Sequence, residues 1–142
     1  MLQENAYIKQ YIPQREPMMM VDELIKHGDG ETVSAFKILA DNVLVDGSHF
    51  SEAGLLENMA QTAALGKGYE FVEKNEQPPI GFIGAVKNFE IIELPVVGSH
   101  LQTYLKLKHE VLNASIVDVE VICEDKTVAR CELKIFINPE ID

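Results

Sequence analysis

The sequence predicts an α+β fold in which a curved antiparallel sheet wraps around one long central helix. Three observations carry this. The second half of the chain is a run of period-2 segments joined by short polar turns, as consecutive antiparallel strands require. One segment has helical period, and from Ala53 to Gly66 its only charged side chain is Glu57, so it is buried on most sides. No second long helix is legible, so flanking helices cannot cover a parallel sheet, whereas one helix can cover one face of an antiparallel sheet.

The elements follow in chain order. Residues 18–27 and 31–39 read as two strands, with turn chemistry in Gly28-Asp29-Gly30 between them. Residues 40–51 are rich in Asp, Asn, Gly and Ser and read as an irregular loop. Ser51 is placed to cap a helix from about Glu52 to about Phe71, with Glu52 favourable in its first turn. Leu55, Leu56, Met59, Ala60 and Ala63 recur at helical spacing. After Pro78-Pro79, residues 80–94 read as a strand that Gly81 and Gly84 can kink. Residues 99–112, 115–124 and 127–137 then alternate as a three-strand meander.

Composition narrows the function. A chain of 142 residues fits one domain, here taken as residues 1–142. With 23 acidic and 12 basic residues the net charge is -11, which disfavours non-specific nucleic-acid binding and anionic membrane surfaces. No apolar run approaches the ~20 residues of a membrane span. The opening MLQENAYIKQ has no charged-then-apolar leader pattern. The two cysteines, Cys123 and Cys131, suggest reduced thiols and a cytoplasmic location. No metal-ligand spacing, phosphate-binding glycine loop or GxSxG motif occurs, so no metal or other cofactor is expected.

The residues able to carry chemistry lie around the helix. Glu57 is a lone carboxylate sharing a helical strip with Gln61 and Ala64. Burial tends to raise a carboxylate pKa, and perturbed groups concentrate at active sites. His49, just before the helix, is the histidine nearest to it in sequence. His27 reads as a turn residue, and His100 and His109 as strand residues. A His and a carboxylate can divide proton transfer between them. The residues alone leave open whether Glu57 is a hydrogen-bonded structural group and His49 a solvated loop residue.

Three stretches then add a resemblance. IPQREPMMMVDELI (12–25), GSHFSEAGLLENMAQTAAL (47–65) and GFIGAVKNFEIIELPVVGSHLQ (81–102) stand in the order of matching stretches in the β-hydroxyacyl-acyl-carrier-protein dehydratases. The chain resembles that family over nearly its whole length, and in particular a divergent branch with a short loop after the histidine, some of it tied to aryl-polyene pigment pathways. The resemblance implies a hotdog fold and a homodimer or larger oligomer with its site at the interface. It implies that His49 of one subunit and Glu57 of the other act on one acyl chain. Gln61 would support Glu57. Glu52 stands where the family has a glycine that offers its N–H to the thioester carbonyl, and Gly54 is the candidate to replace it.

The activity so implied is dehydration of a 3-hydroxyacyl thioester, on acyl carrier protein or coenzyme A, to the trans-2-enoyl form. A hotdog acyl-thioester hydrolase using Glu57 alone, or a non-catalytic partner subunit, are the rivals, because one fold hosts several reactions. Either carrier is anionic, and Arg15, Lys67, Lys87, Lys106 and Lys108 are the candidate docking cations.

Overall fold

The computed structural model describes residues 8–137, so the first seven residues of the opening stretch lie outside the described part. Two strands, β1 (Glu23–Gly28) and β2 (Glu31–Lys37), form a hairpin. A two-residue pair, β3 (Val45–Asp46) and β4 (His49–Phe50), leads into α1 (Glu52–Glu73). Four long strands follow: β5 (Gly81–Ile91), β6 (His100–Val111), β7 (Ala114–Cys123) and β8 (Lys126–Ile137). The main sheet has the order β1-β2-β6-β7-β8-β5, antiparallel throughout. This is the curved sheet around a central helix that the sequence predicts.

The alternation explains which face meets the helix. Leu101, Thr103 and Leu105 of β6, Val117, Val119 and Val121 of β7, and Cys131, Leu133 and Ile135 of β8 are all buried. All but Thr103 pack with Leu55, Met59 and Ala63 of α1 in one core. A second cluster covers the opposite side of the helix: Ile8, Tyr11, Ile12, Met19, Val21 and Leu24 enclose Leu65. Apolar matter on both sides accounts for the helix being so poor in charge. Among the described residues no helix is long and apolar enough to cross a membrane.

Two expected elements change. Residues 18–22 are not strand; β1 starts at Glu23. The helix supplies the missing ladder with side chains. Asn58 Nδ2 donates to the Met20 carbonyl at 2.7 Å, Met20 N–H donates to Gln61 Oε1 at 2.6 Å, and Gln61 Nε2 donates to the Met18 carbonyl at 2.7 Å. Two side-chain amides thus serve as the neighbouring strand, and buried backbone groups stay paired. The loop 40–51 is also more ordered than its composition suggests, since it contains the β3–β4 pair turned at Gly47 with φ +66°.

Candidate functional site

His49 is positioned by its neighbours. Phe50 is fully buried and stacks near Phe36 with ring centroids 5.8 Å apart. Strand alternation then turns His49 outward. The β3–β4 segment is tied to the corner after β5: Phe50 N–H donates to the Pro95 carbonyl at 2.8 Å, and Val97 N–H to the Ser48 carbonyl at 2.9 Å. The imidazole is exposed, with Nδ1 3.0 Å from Ser48 Oγ. It lines a hollow of about 640 Å³ together with Glu52, Ala53, Glu93 and Leu94.

The helix begins where the sequence places it. Ser51 Oγ accepts the Gly54 N–H at 3.1 Å, and the Ser51 carbonyl accepts the Leu55 N–H at 3.0 Å. This corrects the expectation for Gly54. Its N–H is already taken by the cap, and any side chain there would collide with the Phe50 ring, so the residue is glycine for packing. Glu52 and Ala53, by contrast, occupy the first two helical positions, whose N–H groups have no intrahelical partner. Both line the His49 hollow.

Glu57 is half-buried on the helix, and Gln61 Nε2 donates to its Oε2 at 2.9 Å. Gln61 is therefore a pivot: it holds the Glu57 carboxyl and the Met18–Met20 strap at once. Sequence reading named Gln61 but missed the rest of this network. Asn58 is fully buried, and Thr103 Oγ1 donates to its Oδ1. Thr62 Oγ1 donates to the Asn58 carbonyl at 2.7 Å and lies 2.7 Å from Ser34 Oγ. The available signal was three uncharged polar residues, Asn58, Gln61 and Thr62, in the charge-poor stretch of the helix; buried polar groups need partners, and such partners mark fixed structure.

Within one chain His49 and Glu57 are not brought into one hollow. The carboxylates that share the cavity with His49 are Asp46, Glu52 and Glu93. The other end of the helix holds a pairing the sequence did not reveal. His27 Nε2 lies 2.7 Å from Glu70 Oε2, and His27 Nδ1 2.8 Å from Thr32 Oγ1. The Tyr69 ring packs edge-on against the imidazole at 5.8 Å. His27 is thus a wedged contact between hairpin and helix, not a free turn residue.

Three of the five candidate docking cations are engaged. Arg15 donates to the Ile12, Gln14 and Lys9 carbonyls, Lys67 lies 3.0 Å from Glu110, and Lys108 lies 2.8 Å from Glu132. Among the described residues no group of three or more His, Cys, Asp or Glu is arranged to hold a metal ion. The edge strand β5 and its flanks carry exposed apolar residues: Ile80, Phe82, Ile83, Val86 and Ile92 are 38–60% exposed.

Comparison with known proteins adds the family context. The model of the ApeP-like family, described as ApeP dehydratase, matches residues 6–142. A 3-hydroxyacyl-[acyl-carrier-protein] dehydratase FabZ from Janthinobacterium sp. (strain Marseille) is 34% identical over 64 residues; the matched stretch spans 41% of this chain and 41% of that relative. The solved dehydratase heterocomplex ApeI:P from Xenorhabdus doucetiae superposes with a TM-score of 0.86 at 16% identity, covering 94% of this chain and 91% of that one. A hypothetical thioesterase from Streptococcus pneumoniae TIGR4, solved with coenzyme A, superposes with a TM-score of 0.68 at 14% identity, covering 84% of this chain and 88% of that one. At such identities the superpositions establish the hotdog fold.

Proposed function

The chain belongs to the ApeP-like dehydratase family, and on that premise we propose that it dehydrates a 3-hydroxyacyl thioester to the trans-2-enoyl thioester. The observation that carries this reading is the pair of groups around α1. One is an imidazole turned into an open hollow; the other is a carboxyl anchored by an amide. His49 removes the α-proton, and the electron pair of that C–H bond becomes the new double bond. The β C–O bond breaks, and Glu57 in its acid form gives its proton to the departing hydroxyl, which leaves as water. Gln61 holds the Glu57 carboxyl for that transfer. The free N–H of Ala53, at the positive end of the helix, suits the thioester oxygen on which charge develops. Ala53 takes the part first assigned to Gly54.

His49 and Glu57 then come from different subunits, which accords with their separate surroundings in one chain. The β5 edge, with unpaired backbone and exposed apolar side chains, suits the joining of two sheets. The partner is a second copy or a related dehydratase subunit; ApeI:P is such a heterocomplex. Acyl carrier protein or coenzyme A is the carrier. The two cysteines are free and buried, which accords with a reducing cytoplasm.

Turnover of a 3-hydroxyacyl thioester by the purified protein tests this. Enoyl absorbance is the expected product. Release of free thiol instead makes it a hydrolase, and neither signal makes it a non-catalytic subunit. Sedimentation at micromolar concentration is expected to show a dimer or larger; a monomer ends the shared-site mechanism.

A further inference from the structure

The hydrogen bonds between α1 and the Met18–Met20 strap run in one direction and end on the proposed catalytic carboxyl. Thr103 Oγ1 donates to Asn58 Oδ1, and Asn58 Nδ2 donates to the Met20 carbonyl at 2.7 Å. The N–H of Met20 donates to Gln61 Oε1 at 2.6 Å. Gln61 Nε2 then donates to Glu57 Oε2 at 2.9 Å and to the Met18 carbonyl at 2.7 Å. Met20, Asn58, Gln61 and Thr103 are at most 1% exposed, so water does not compete for these partners.

Each amide has one orientation that satisfies its neighbours. A backbone N–H only donates, and a backbone carbonyl only accepts. A turned-over Gln61 would set its NH2 against the Met20 N–H and its oxygen against the Met18 carbonyl. A turned-over Asn58 would set its oxygen against the Met20 carbonyl. Either leaves buried groups unpaired, which is the costly case.

The orientation decides where a proton sits on Glu57. Because Gln61 Nε2 donates to Oε2, Oε2 is the accepting oxygen, and the acid form carries its proton on Oε1. Turned over, Gln61 would present its own oxygen to Glu57 and hold the acid proton in a hydrogen bond. The proton that the departing hydroxyl needs would then be spent inside the protein.

We infer that Asn58 is a positioning residue for this chemistry. It pins the Met20 backbone, the strap sets the Gln61 amide, and the amide leaves the Glu57 proton on Oε1 for the substrate. Asn58 itself touches no reacting atom. This inference rests on the dehydratase reading, and its test separates the two.

A double-variant cycle tests the line of action. Asn58→Ala is expected to lower kcat per folded molecule on a 3-hydroxyacyl thioester by about tenfold, with KM within about twofold, since a misplaced group acts on the chemical step. In a Gln61→Ala background the same change is expected to cost under about twofold more, because the residue it acts through is gone. Ser34→Ala is the stability control. It breaks the buried 2.7 Å contact with Thr62, off this line, and is expected to lower the unfolding midpoint with kcat within about twofold. If Asn58→Ala does not fold, Asn58→Ser, too short to reach the Met20 carbonyl, carries the same expectations. A second arm is independent of turnover. NMR of nitrogen-labelled protein is expected to show the Gln61 side-chain amide protons exchanging with solvent at least about tenfold faster in Asn58→Ala than in wild type. Unchanged kcat, full multiplicative losses in the double variant, an equal kcat loss in Ser34→Ala, or unchanged amide exchange each overturn the inference. Faster exchange in Asn58→Ala with no turnover of any thioester by wild type would support the placement of Gln61 and defeat the dehydratase reading.

Discussion

The two ends of the central helix each bring a histidine near carboxylates, and they do opposite things with it. At the N-terminal end His49 is exposed, its ring meets Ser48 alone among the described residues, and it faces an open hollow. At the far end His27 has both ring nitrogens bonded, to Thr32 and Glu70, and Tyr69 against its ring. A histidine that exchanges protons with a substrate needs a free nitrogen and room beside it. One whose two nitrogens are both occupied is a fastener. On the proposed mechanism the contrast also separates the jobs of the helix: its first turns would present chemistry, while its last turns hold the hairpin against the core.

The largest effect that would test this contrast is at Glu57. Glu57→Gln is expected to lower turnover by about 100-fold or more while leaving the fold intact. Removing a half-buried carboxylate costs little packing, so the thermal midpoint should hold or rise. Wild-type turnover in this variant, measured by enoyl absorbance, would make Glu57 structural and erase the division between the ends.

His49→Ala comes next. It is expected to cost about 100-fold in turnover, the usual scale of general acid–base catalysis, with almost no change in unfolding midpoint because the side chain is exposed. Full activity would move the chemistry to Glu57 alone and favour a hydrolase.

His27→Ala should show the reverse pattern. Thr32 and Glu70 lose a partner in a part-buried setting, so chemical denaturation should report a loss of about 1–3 kcal/mol. Turnover of a short-chain thioester per folded molecule should stay within about twofold, since no reacting atom is touched. A large loss of turnover with unchanged stability would mean that the fastener is part of the machinery.

The smallest effect concerns acid. The Lys67 ammonium beside Glu110 holds that carboxyl below the usual glutamate value. A depressed folded-state pKa contributes stability that is present above the unfolded value and lost as pH falls through the folded one. Glu110 is about half exposed, so the contribution is under about 1 kcal/mol. Glu110→Gln should therefore remove a slight stability loss in urea titrations below about pH 4.3, the ordinary glutamate value. It should leave turnover of short chains unchanged.

Much of the fold was legible because its signals are local. Ser51 caps the helix it was expected to cap, and α1 runs from Glu52 as the spacing of Leu55, Met59 and Ala63 requires. The alternation of Leu101, Thr103 and Leu105 sets the inward face of β6 without reference to any partner. The 18–22 segment misled because its apolar pattern is that of a strand, while its ladder is supplied by Asn58 and Gln61, about forty residues away. His27 misled for the same reason. Its neighbours Gly28, Asp29 and Gly30 describe a turn, and only docking of the hairpin on the helix brings Glu70 to it, 43 residues on. Gly54 misled in a third way: glycine suggests an offered N–H, yet the Phe50 ring alone requires it.

What this sequence determined by itself was therefore the identity and order of its elements and the buried character of the helix. Periodicity, capping and turn chemistry act between residues a few positions apart, and each leaves its trace in the neighbours. What only the tertiary structure decided was which polar groups are spent and which are free. That outcome turns on the curvature of the sheet and the register of contacts across forty or more residues. These alone seal His27 against Glu70 and leave His49 open.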